Sequence, residues 1–328
     1  MTRSIEVTPG QIESATCAAL TAHGASEANA VPVASAIALA ETTGNRVCGL
    51  FYAPVFCAQM RLGKVDGKAA PSVVRRDASV LVDAASGFAH PAIDAGLPHL
   101  IAAAHDFGVA AMAVRRSYNA LALGRHVLPL VEKGLIGLCV SNAPASVAPP
   151  GASRPLFGTN PLAFAAPVEG EPPILIDQSL SAVTKTEIIL RKGRGEAIPT
   201  GWAQDAGGRP TTDPAVGLEG SLLPAGGQKG ANLALIVEIL AAALTGSRLS
   251  MEASGFSNDE GGPPHVGQFL LAIDPGHFAG GDVATSIAGL AAGFERAGAR
   301  PPGRNRKEPG PVEVDADLWA RVLSLAKG

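Results

Sequence analysis

Short apolar segments alternate with helical stretches along most of this chain, and this alternation limits the possible folds more than any other feature. Apolar runs that end in polar residues are typical of strands buried in a sheet that helices cover. We predict such strands at residues 72–83, 109–114, 135–142, 162–166, 174–177 and 266–274. Because helical patterns lie between them, the sequence predicts a mixed α/β protein.

Capping signals mark the first two helices. Thr8 precedes Pro9, and Gln11 follows three residues after Thr8, which is the pattern of a capping box with proline at the first helical position. The second helix is expected to end at Thr43, because Gly44 follows it. Residues 44–49 then form a short loop, and such loops often present functional side chains.

Composition and charge exclude several classes of function. The 328 residues are 47% hydrophobic and 17% charged, and a formal net charge of −3 gives no reason to bind nucleic acid. No apolar run reaches the ~18 residues of a membrane span, and the N-terminus lacks the core of a signal peptide. The four cysteines lack metal-type spacing. We therefore expect a cytoplasmic protein with reduced thiols and with no metal, membrane or nucleic-acid partner.

A glycine-rich turn at residues 224–230 opens a long apolar helix. Gly226, Gly227 and Gly230 allow the backbone to approach a ligand closely, and the N-terminus of the helix favours an anion. Lys229 adds a cation to this turn. The alternative is an ordinary helix-entry turn with an exposed lysine. Neither a P-loop motif nor a GxGxxG motif after a strand occurs, so a Rossmann fold is not expected.

Five segments, in one order, resemble the malate/L-lactate dehydrogenase family, which is unrelated to the Rossmann-type lactate dehydrogenases. They are Gly158-Thr159-Asn160-Pro161 and residues 199–203, 208–214, 223–230 and 266–269. The resemblance covers nearly the whole chain and is strongest to the 1-pyrroline-2-carboxylate and 1-piperideine-2-carboxylate reductases of the family. It implies a non-Rossmann NAD(P)-binding fold with a large mixed sheet and a smaller helical domain, assembled as a homodimer.

The resemblance also implies a division of the chain into three parts. Residues 1–120 are expected to form a helical part concerned with substrate and dimer contacts, and residues 121–300 an NAD(P)-binding part with the mixed sheet. Residues 301–328 are expected to form a basic linker and a C-terminal helix that returns to the first part. The active site is expected between these parts.

Family roles transfer to this chain where the motifs match. Ser141, Asp177, Lys229 and Gly230 occupy positions where relatives contact the nicotinamide-ribose and the pyrophosphate. Thr159 occupies the position that orients the substrate acid in relatives. From the residues alone, Asp177 is equally compatible with an ordinary cap at the end of a strand.

The chain departs from the family at the residues that carry the chemistry. In most relatives two histidines serve the proton transfer, and an arginine holds the substrate carboxylate. Here Cys48 and Asn119 replace the histidines, and Tyr52 replaces the arginine. Arg46 is a candidate for the lost arginine, and the alternative for it is a solvated loop charge. Cys48 is either a small hydrophobic residue of the pocket or a proton relay.

The missing histidines favour a substrate that needs no acid from the protein. Reduction of a ketone places negative charge on oxygen and needs a general acid, whereas a cyclic imine takes up a proton before it binds. Our leading hypothesis is therefore reduction of 1-pyrroline-2-carboxylate to proline, or of its six-membered homologue to pipecolate. In this hypothesis Asn119 hydrogen-bonds the substrate and Asp177 stabilises the iminium.

Two other functions stay open on the sequence. One is a 2-oxo/2-hydroxy acid dehydrogenase of the malate/lactate type that uses another acid, for example His90 or His126. The other is a non-catalytic relative that binds nucleotide without turnover.

The choice of cofactor rests on basic residues near the C-terminus. Arg304, Arg306 and Lys307 lie in the linker where relatives meet the adenosine end of the cofactor. Guanidinium groups pair well with a 2′-phosphate, so NADPH is favoured and NADH is the alternative. These residues are equally compatible with a solvated basic linker.

Overall fold

A seven-stranded sheet forms the centre of the structure, a computed structural model that describes residues 3–278 and 283–328. In the order in which they lie side by side, its strands are β2 (Ser72–Arg76), β3 (Ser79–Asp83), β4 (Val109–Ser117), β11 (Val266–Ile273), β5 (Ile136–Ser141), β6 (Leu162–Val168) and β7 (Glu171–Gln178). β3 and β4 are parallel, and the other neighbours are antiparallel. The predicted mixed α/β class with a large mixed sheet is confirmed.

Two smaller sheets complete the β-structure of the described residues. The first pairs the two ends of the chain, because β1 (Ser4–Val7) lies antiparallel to β12 (Val312–Asp315). The second joins β8 (Ala203–Gln204), β9 (Pro210–Thr211) and β10 (Ser221–Leu222). The C-terminal segment therefore returns to the N-terminus.

Ten α-helices lie within the described residues. They are α1 (Pro9–Ala22), α2 (Glu27–Thr42), α3 (Tyr52–Arg61), α4 (Ala89–Phe107), α5 (Gly124–Val131), α6 (Lys185–Arg194), α7 (Pro214–Glu219), α8 (Gln228–Glu238), α9 (Val283–Arg296) and α10 (Ala316–Leu325). The capping box predicted at Thr8 and Gln11 is confirmed, since each side chain accepts the other residue's backbone N–H. No helix in the described part of the chain combines the length and the apolar character that crossing a bilayer needs.

Three hydrophobic clusters hold these layers together. The first packs α1–α3 and α10 around Phe56, Tyr118 and Trp319. The second lies between the sheet and α4 and α5, and the third lies on the other face of the sheet against α8. The domain boundary at residue 120 stays a prediction, and the large sheet takes strands from both sides of that residue.

One strand differs from the sequence prediction for a clear physical reason. We expected residues 174–177, and β7 begins at Glu171 and includes Pro172 and Pro173. Proline lacks the N–H that a central strand must donate, but β7 lies at the edge of the sheet. An edge strand tolerates both prolines.

Candidate active site

A cavity of about 280 Å³ lies at the ends of three neighbouring strands of the large sheet, where β5 and β7 end and β6 begins. The segment around residues 45–52, the start of α6 and residues 255–258 complete its walls. The structure brings together in this lining six of the residues predicted for the site, which are Cys48, Tyr52, Asn119, Ser141, Thr159 and Asp177. A second cavity of about 190 Å³ adjoins the first, since Asp177 lines both.

A buried carboxylate holds the turn that carries Cys48 against the end of α2. Glu41 Oε2 accepts the backbone N–H of Leu50 at 2.8 Å. Burial raises the pKa of Glu41 above its ordinary value. Gly49 is required beside it, because a Cβ atom there would lie 2.1 Å from Glu41 Oε2. This local packing directs Cys48 toward the cavity.

Arg46 lies outside the cavity lining. Its guanidinium donates to the backbone carbonyl of Glu313 at 2.6 Å and lies 3.5 Å from Glu41 Oε1. The side chain is more than half exposed, at 54%. Arg46 therefore ties the turn to β12, and the structure does not bring it to the other site residues.

Two protic side chains of the cavity have high pKa values. Burial, together with the charge of Asp177, raises the pKa of the Cys48 thiol to about 12. Burial likewise raises the pKa of Tyr52 to about 12, and its hydroxyl shares a hydrogen bond of 3.0 Å with Thr186 Oγ1. Both groups therefore keep their protons at neutral pH and are poor acids there.

Asn119 closes the turn that follows β4. Its Oδ1 accepts the N–H of Leu121 at 2.9 Å, and Leu121 adopts a left-handed conformation with φ of 54°. The Tyr52 hydroxyl lies close enough to Asn119 for a hydrogen bond. A carboxamide offers hydrogen bonds at this point of the cavity but has no acidic proton to transfer.

Asp177 lies at the boundary of the two cavities. Its Oδ2 accepts the N–H of Gly124 at 2.9 Å, so the N-terminus of α5 faces the carboxylate. Burial raises the pKa of Asp177 above its ordinary value, while backbone hydrogen bonds and the charge of Arg306 act in the opposite direction. Asp177 is therefore protonated more easily than an exposed aspartate.

A buried network fixes the turn that carries Thr159. Asn160 is fully buried with φ of 39°, and its Nδ2 donates to Glu238 Oε2 at 2.8 Å and to the carbonyl of Ala234 at 3.0 Å. Glu238 also accepts the N–H and the Oγ–H of Ser250, both at 2.6 Å. These bonds attach the turn to α8.

Ser141 lies at the end of β5 and is buried. Its Oγ lies within hydrogen-bond distance of the carbonyls of Asn142, at 3.0 Å, and Gly267, at 3.2 Å, and it accepts from Gln268 Nε2 at 3.2 Å. The hydroxyl is therefore engaged mainly with the neighbouring strand β11.

The glycine-rich turn lies beside the cavity and not in its lining. Backbone hydrogen bonds join it to residues 180–182, between two segments of the cavity wall. Gly226 and Gly227 have φ of 64° and 63°, and nothing lies within 4 Å of the positions their Cβ atoms would take. Lys229 is exposed in the first turn of α8. Gly230 is needed for packing, since its Cβ would lie 1.9 Å from a carbonyl oxygen of the turn.

The basic residues of the C-terminal segment have different surroundings. Arg304 forms an ion pair with Glu171 at the start of β7. Arg306 lines the smaller cavity, where the charge of Asp177 acts on it. Lys307 is exposed. Of these three residues, Arg306 is the one that the structure brings to a cavity.

His90 and His126 lie together in the core, outside the lining of both cavities. Both are fully buried, and their ring centroids are 5.4 Å apart. Burial lowers the pKa of His90 far below its ordinary value and that of His126 to about 4. Both rings are therefore neutral at neutral pH, and neither offers a charged acid to the cavity.

Lys185 is a residue of the cavity that the sequence prediction missed. It occupies the first position of α6 and lines the larger cavity. A lone lysine at the start of a helix gives no sequence signal for such a role. Within residues 3–278 and 283–328, no three His, Cys, Asp or Glu side chains converge as a metal site requires.

The segment 255–258 of the cavity wall is held by a second lysine that the sequence did not single out. Lys64 is buried, and its Nζ donates to the carbonyls of Gly255, Asn258 and Glu260 at 2.7 to 3.1 Å. The Tyr118 hydroxyl donates to the carbonyl of Phe256 in the same segment. The ammonium group therefore holds this segment of the cavity wall in place.

Comparison with known proteins shows which family the chain belongs to. The family model for malate/L-lactate dehydrogenase matches residues 7–317. The chain belongs to this family. The resemblance found in the sequence is thereby confirmed, and the protein is a member of a family of oxidoreductases.

Relatives with different substrates are similar to this chain. It is 43% identical over 296 residues to the (2R)-3-sulfolactate dehydrogenase (NADP(+)) of Chromohalobacter salexigens, covering 90% of this chain and 89% of that protein. It is 38% identical over 317 residues to the Delta(1)-pyrroline-2-carboxylate reductase of Ancylobacter novellus, covering 93% of each. The crystal structure of delta1-piperideine-2-carboxylate reductase from Pseudomonas syringae pv. tomato matches with a TM-score of 0.92 at 36% identity, over 98% of this chain and 99% of that chain.

The residues present fit the nicotinamide dinucleotide that this family uses. The open backbone at Gly226 and Gly227, the N-terminus of α8 and Lys229 are suited to a phosphate. The two adjoining cavities offer hydroxyl, amide and carboxylate groups, which are the partners that ribose and a carboxamide require. We therefore treat the cavities and the neighbouring turn as one candidate site.

Proposed function

We propose that this protein uses NADPH to reduce a cyclic imino acid, either 1-pyrroline-2-carboxylate or 1-piperideine-2-carboxylate or both. One observation carries the proposal: no histidine is among the described residues that line the larger cavity. The thiol and the phenol in that lining have pKa values raised to about 12. A substrate that is already protonated when it binds suits such a site.

The chemistry divides into a proton step and a hydride step. The imine nitrogen takes a proton from water, and the carbon that bears the carboxylate becomes the electrophilic end of an iminium ion. Bound NADPH supplies hydride to that carbon. As the new C–H bond forms, the π electrons of the C=N bond become the lone pair of the amine nitrogen. No group of the protein gives up a proton in this step, whereas a ketone would require one.

The side chains of the cavity have distinct roles in this proposal. Asp177 favours the protonated imine, because a carboxylate near a basic nitrogen raises the pKa of that nitrogen. Asn119 and Thr159 supply hydrogen bonds that orient the ring. Cys48 fills the wall as a small, weakly polar group. Ser141, Lys229 and Gly230 belong to the cofactor side of the site.

A 2-oxo/2-hydroxy acid is the second candidate substrate, favoured by the similarity to a sulfolactate dehydrogenase. A sulfonated hydroxy acid carries two anionic groups, and each needs a cationic or strongly donating partner when it is buried. The described lining of the larger cavity has one cation, Lys185, and one carboxylate, Asp177. This balance suits a substrate with one anionic group and one cationic nitrogen.

NADPH is the proposed cofactor, and NADH is the alternative. The similarity to a relative named as an NADP(+) enzyme supports the choice. Arg306 beside the smaller cavity is available to a 2′-phosphate, whereas the guanidinium of Arg304 is shared with Glu171. The ratio of kcat/KM for the two cofactors measures the preference directly, and it is expected to favour NADPH.

We also propose that the protein is a homodimer. Five large apolar side chains on α8 and the helical residues after it are 46–59% exposed, and we call them the α8 apolar face: Leu233, Leu235, Ile236, Ile239 and Leu244. Between Lys229 and Arg248 the sequence has one charged residue, Glu238, and that residue is buried. An uncharged, exposed face of this size is typical of an interface between protein chains.

A substrate panel tests the proposed reaction. NADPH oxidation is followed by absorbance with 1-pyrroline-2-carboxylate, 1-piperideine-2-carboxylate, pyruvate, oxaloacetate and sulfopyruvate. We expect turnover with the cyclic imines and little with the oxo acids. Turnover with the oxo acids alone would contradict the proposal, and cofactor binding without turnover on any substrate would favour a non-catalytic relative.

A further inference from the structure

Lys185 lies in the cavity wall without an anionic partner among the described residues. Its side chain lines the cavity with Cys48 and Asp177, at an exposed point of the wall. No described residue forms an ion pair or a hydrogen bond with its ammonium group. Although part of the side chain is exposed, desolvation by the surrounding protein lowers the pKa of this group. The cation is therefore unpaired where a ligand would contact it.

The neighbours of Lys185 suit a carboxylate. The next residue, Thr186, shares a hydrogen bond of 3.0 Å with the hydroxyl of Tyr52. The first backbone N–H groups of a helix lack partners within the helix, and here those groups belong to Lys185 and Thr186. Lys185, the two hydroxyl-bearing residues and the start of this ten-residue helix thus all belong to the lining of the larger cavity.

The position of Tyr52 links this cluster to the carboxylate-binding residue of the family. Tyr52 stands where most relatives are expected to have an arginine, and Arg46, the nearby candidate to replace it, lies outside the cavity. Since Tyr52 contacts the residue that follows Lys185, the two lining residues belong to the same part of the cavity wall, although Lys185 lies on a different helix.

We infer that Lys185 is the specificity-determining residue that binds the carboxylate of the substrate. The identity of that substrate as a cyclic imino acid rests on the proposed function. The role of Lys185 itself applies equally to a 2-oxo acid, because both classes carry a carboxylate next to the reacting carbon. Lys185 acts here as a charged partner and not as a proton donor.

Steady-state kinetics of Lys185→Met and Lys185→Arg test this role. For 1-pyrroline-2-carboxylate we expect Lys185→Met to raise KM by about 10- to 100-fold, as the loss of a charged hydrogen bond predicts. The kcat should change by no more than a few-fold, and KM for NADPH should not change. Lys185→Arg should restore most of the affinity. The matched control is Lys192→Met, which removes an exposed lysine from the same helix.

A substrate without the carboxylate provides an internal comparison. Reduction of 1-pyrroline, which lacks the carboxylate, should be equally slow in the wild-type protein and in Lys185→Met. An unchanged KM for the carboxylated imine would overturn the inference. A rise in KM for NADPH instead would assign Lys185 to the cofactor, and a fall in kcat with an altered pH profile would make it a proton donor. Either result also overturns it.

Binding measurements separate this inference from the proposed reaction. Pyrrole-2-carboxylate is a planar analogue that cannot be reduced, and its binding to the NADPH-loaded protein is measured by calorimetry beside pyruvate. If the wild-type protein binds either acid and Lys185→Met does not, the inference stands even when no imine is reduced. If the wild-type protein binds neither, or both proteins bind equally, the inference fails.

Discussion

At the scale of single residues, the reaction that the cavity can support depends on which of its side chains can release a proton. The Cys48 thiol and the Tyr52 phenol both have pKa values raised to about 12, and His126, with a pKa of about 4, lies outside the cavity lining. Asp177 has a raised pKa and an oxygen bonded to the start of α5. A buried carboxylate favours a cationic partner, and in the proposed reaction that partner is the protonated ring nitrogen beside Asp177.

Asp177→Asn should reduce imine turnover in a pH-dependent manner. Removal of the carboxylate lowers the pKa of the bound imine, so a smaller fraction is an iminium as the pH rises. We expect kcat/KM to fall at least about tenfold at alkaline pH and less at acidic pH. The pH profile of kcat/KM measures this shift, and identical profiles for the variant and the wild type would contradict the role.

Cys48→Ala is the matched control within the same cavity. A thiol with a pKa near 12 contributes little as an acid at neutral pH, so the variant should keep its activity within a few-fold. A loss as large as that of Asp177→Asn would show that the thiol does transfer a proton and that our account of the cavity is wrong.

Some residues of the site could be predicted from the sequence, and others depend on contacts that the sequence does not reveal. Ser141, Thr159 and Asp177 were predicted from segments that match a family. Cys48, Tyr52 and Asn119 were predicted because they stand where this chain departs from the family's motifs. Lys185 was not predicted, because its role depends on contact between α6 and Tyr52, which lie far apart in sequence. Arg46 shows the reverse case, since its position in the loop suggested a site residue while its guanidinium bonds to β12.

At the scale of secondary-structure elements, short turns carry the site and buried polar groups hold those turns in place. Glu41 holds the turn of Cys48, and Asn160 with Glu238 holds the turn of Thr159. Lys64 holds the segment 255–258. The cavity walls therefore depend on interactions that lie behind them.

Lys64→Met should loosen the segment 255–258 and destabilise the protein. The substitution leaves buried carbonyl oxygens without a donor, which costs about 3 kcal/mol. Chemical unfolding should show this loss, and limited proteolysis should cut the segment faster. Lys68→Met, which removes an exposed lysine nearby, is the control and should change neither property. Equal stability of the two variants would contradict the role of Lys64.

A feature formed by residues that are close in sequence could be predicted, whereas a strand that pairs with a distant part of the chain could not. The capping box at Thr8 was predicted because its bonds span three residues. β1 was not predicted, because it has four residues and its partner β12 lies at the other end of the chain. The helix α9 also escaped prediction.

At the scale of the whole molecule, the α8 apolar face defines the expected assembly. Ile236→Lys combined with Ile239→Lys places two charges on side chains that are 51% and 53% exposed. We expect a dimer for the wild type and a folded monomer for this variant in sedimentation velocity. Leu323→Lys, on an apolar residue of α10 outside this face, should remain a dimer. A monomeric wild type would contradict the proposed assembly.

The buried histidine pair should make the stability of the whole fold depend on pH. Burial lowers the pKa of His126 from its ordinary 6.5 to about 4, so below pH 6.5 the unfolded chain takes up a proton that the folded protein does not. The free energy of unfolding should therefore fall by about 3 kcal/mol as the pH decreases through this range. His90, whose pKa is also lowered, adds to the effect.

Urea unfolding at neutral pH and at a pH near 4.5 measures this dependence, and replacement of His126 by Asn should flatten it. A variant as pH-sensitive as the wild type would assign the acid sensitivity to other groups. The carboxylates with lowered pKa values, such as Asp83, contribute in the same direction at still lower pH and serve as the reference.

The fate of the hydride distinguishes imine reduction from oxo-acid reduction. The protein is incubated with 1-pyrroline-2-carboxylate and NADPH deuterated at the transferable position, and the product is analysed by mass spectrometry and NMR. We predict proline with deuterium on the carbon that bears the carboxylate. Absence of proline, together with deuterated hydroxy acid formed from pyruvate or sulfopyruvate, would show that this cavity does not reduce a protonated cyclic imine.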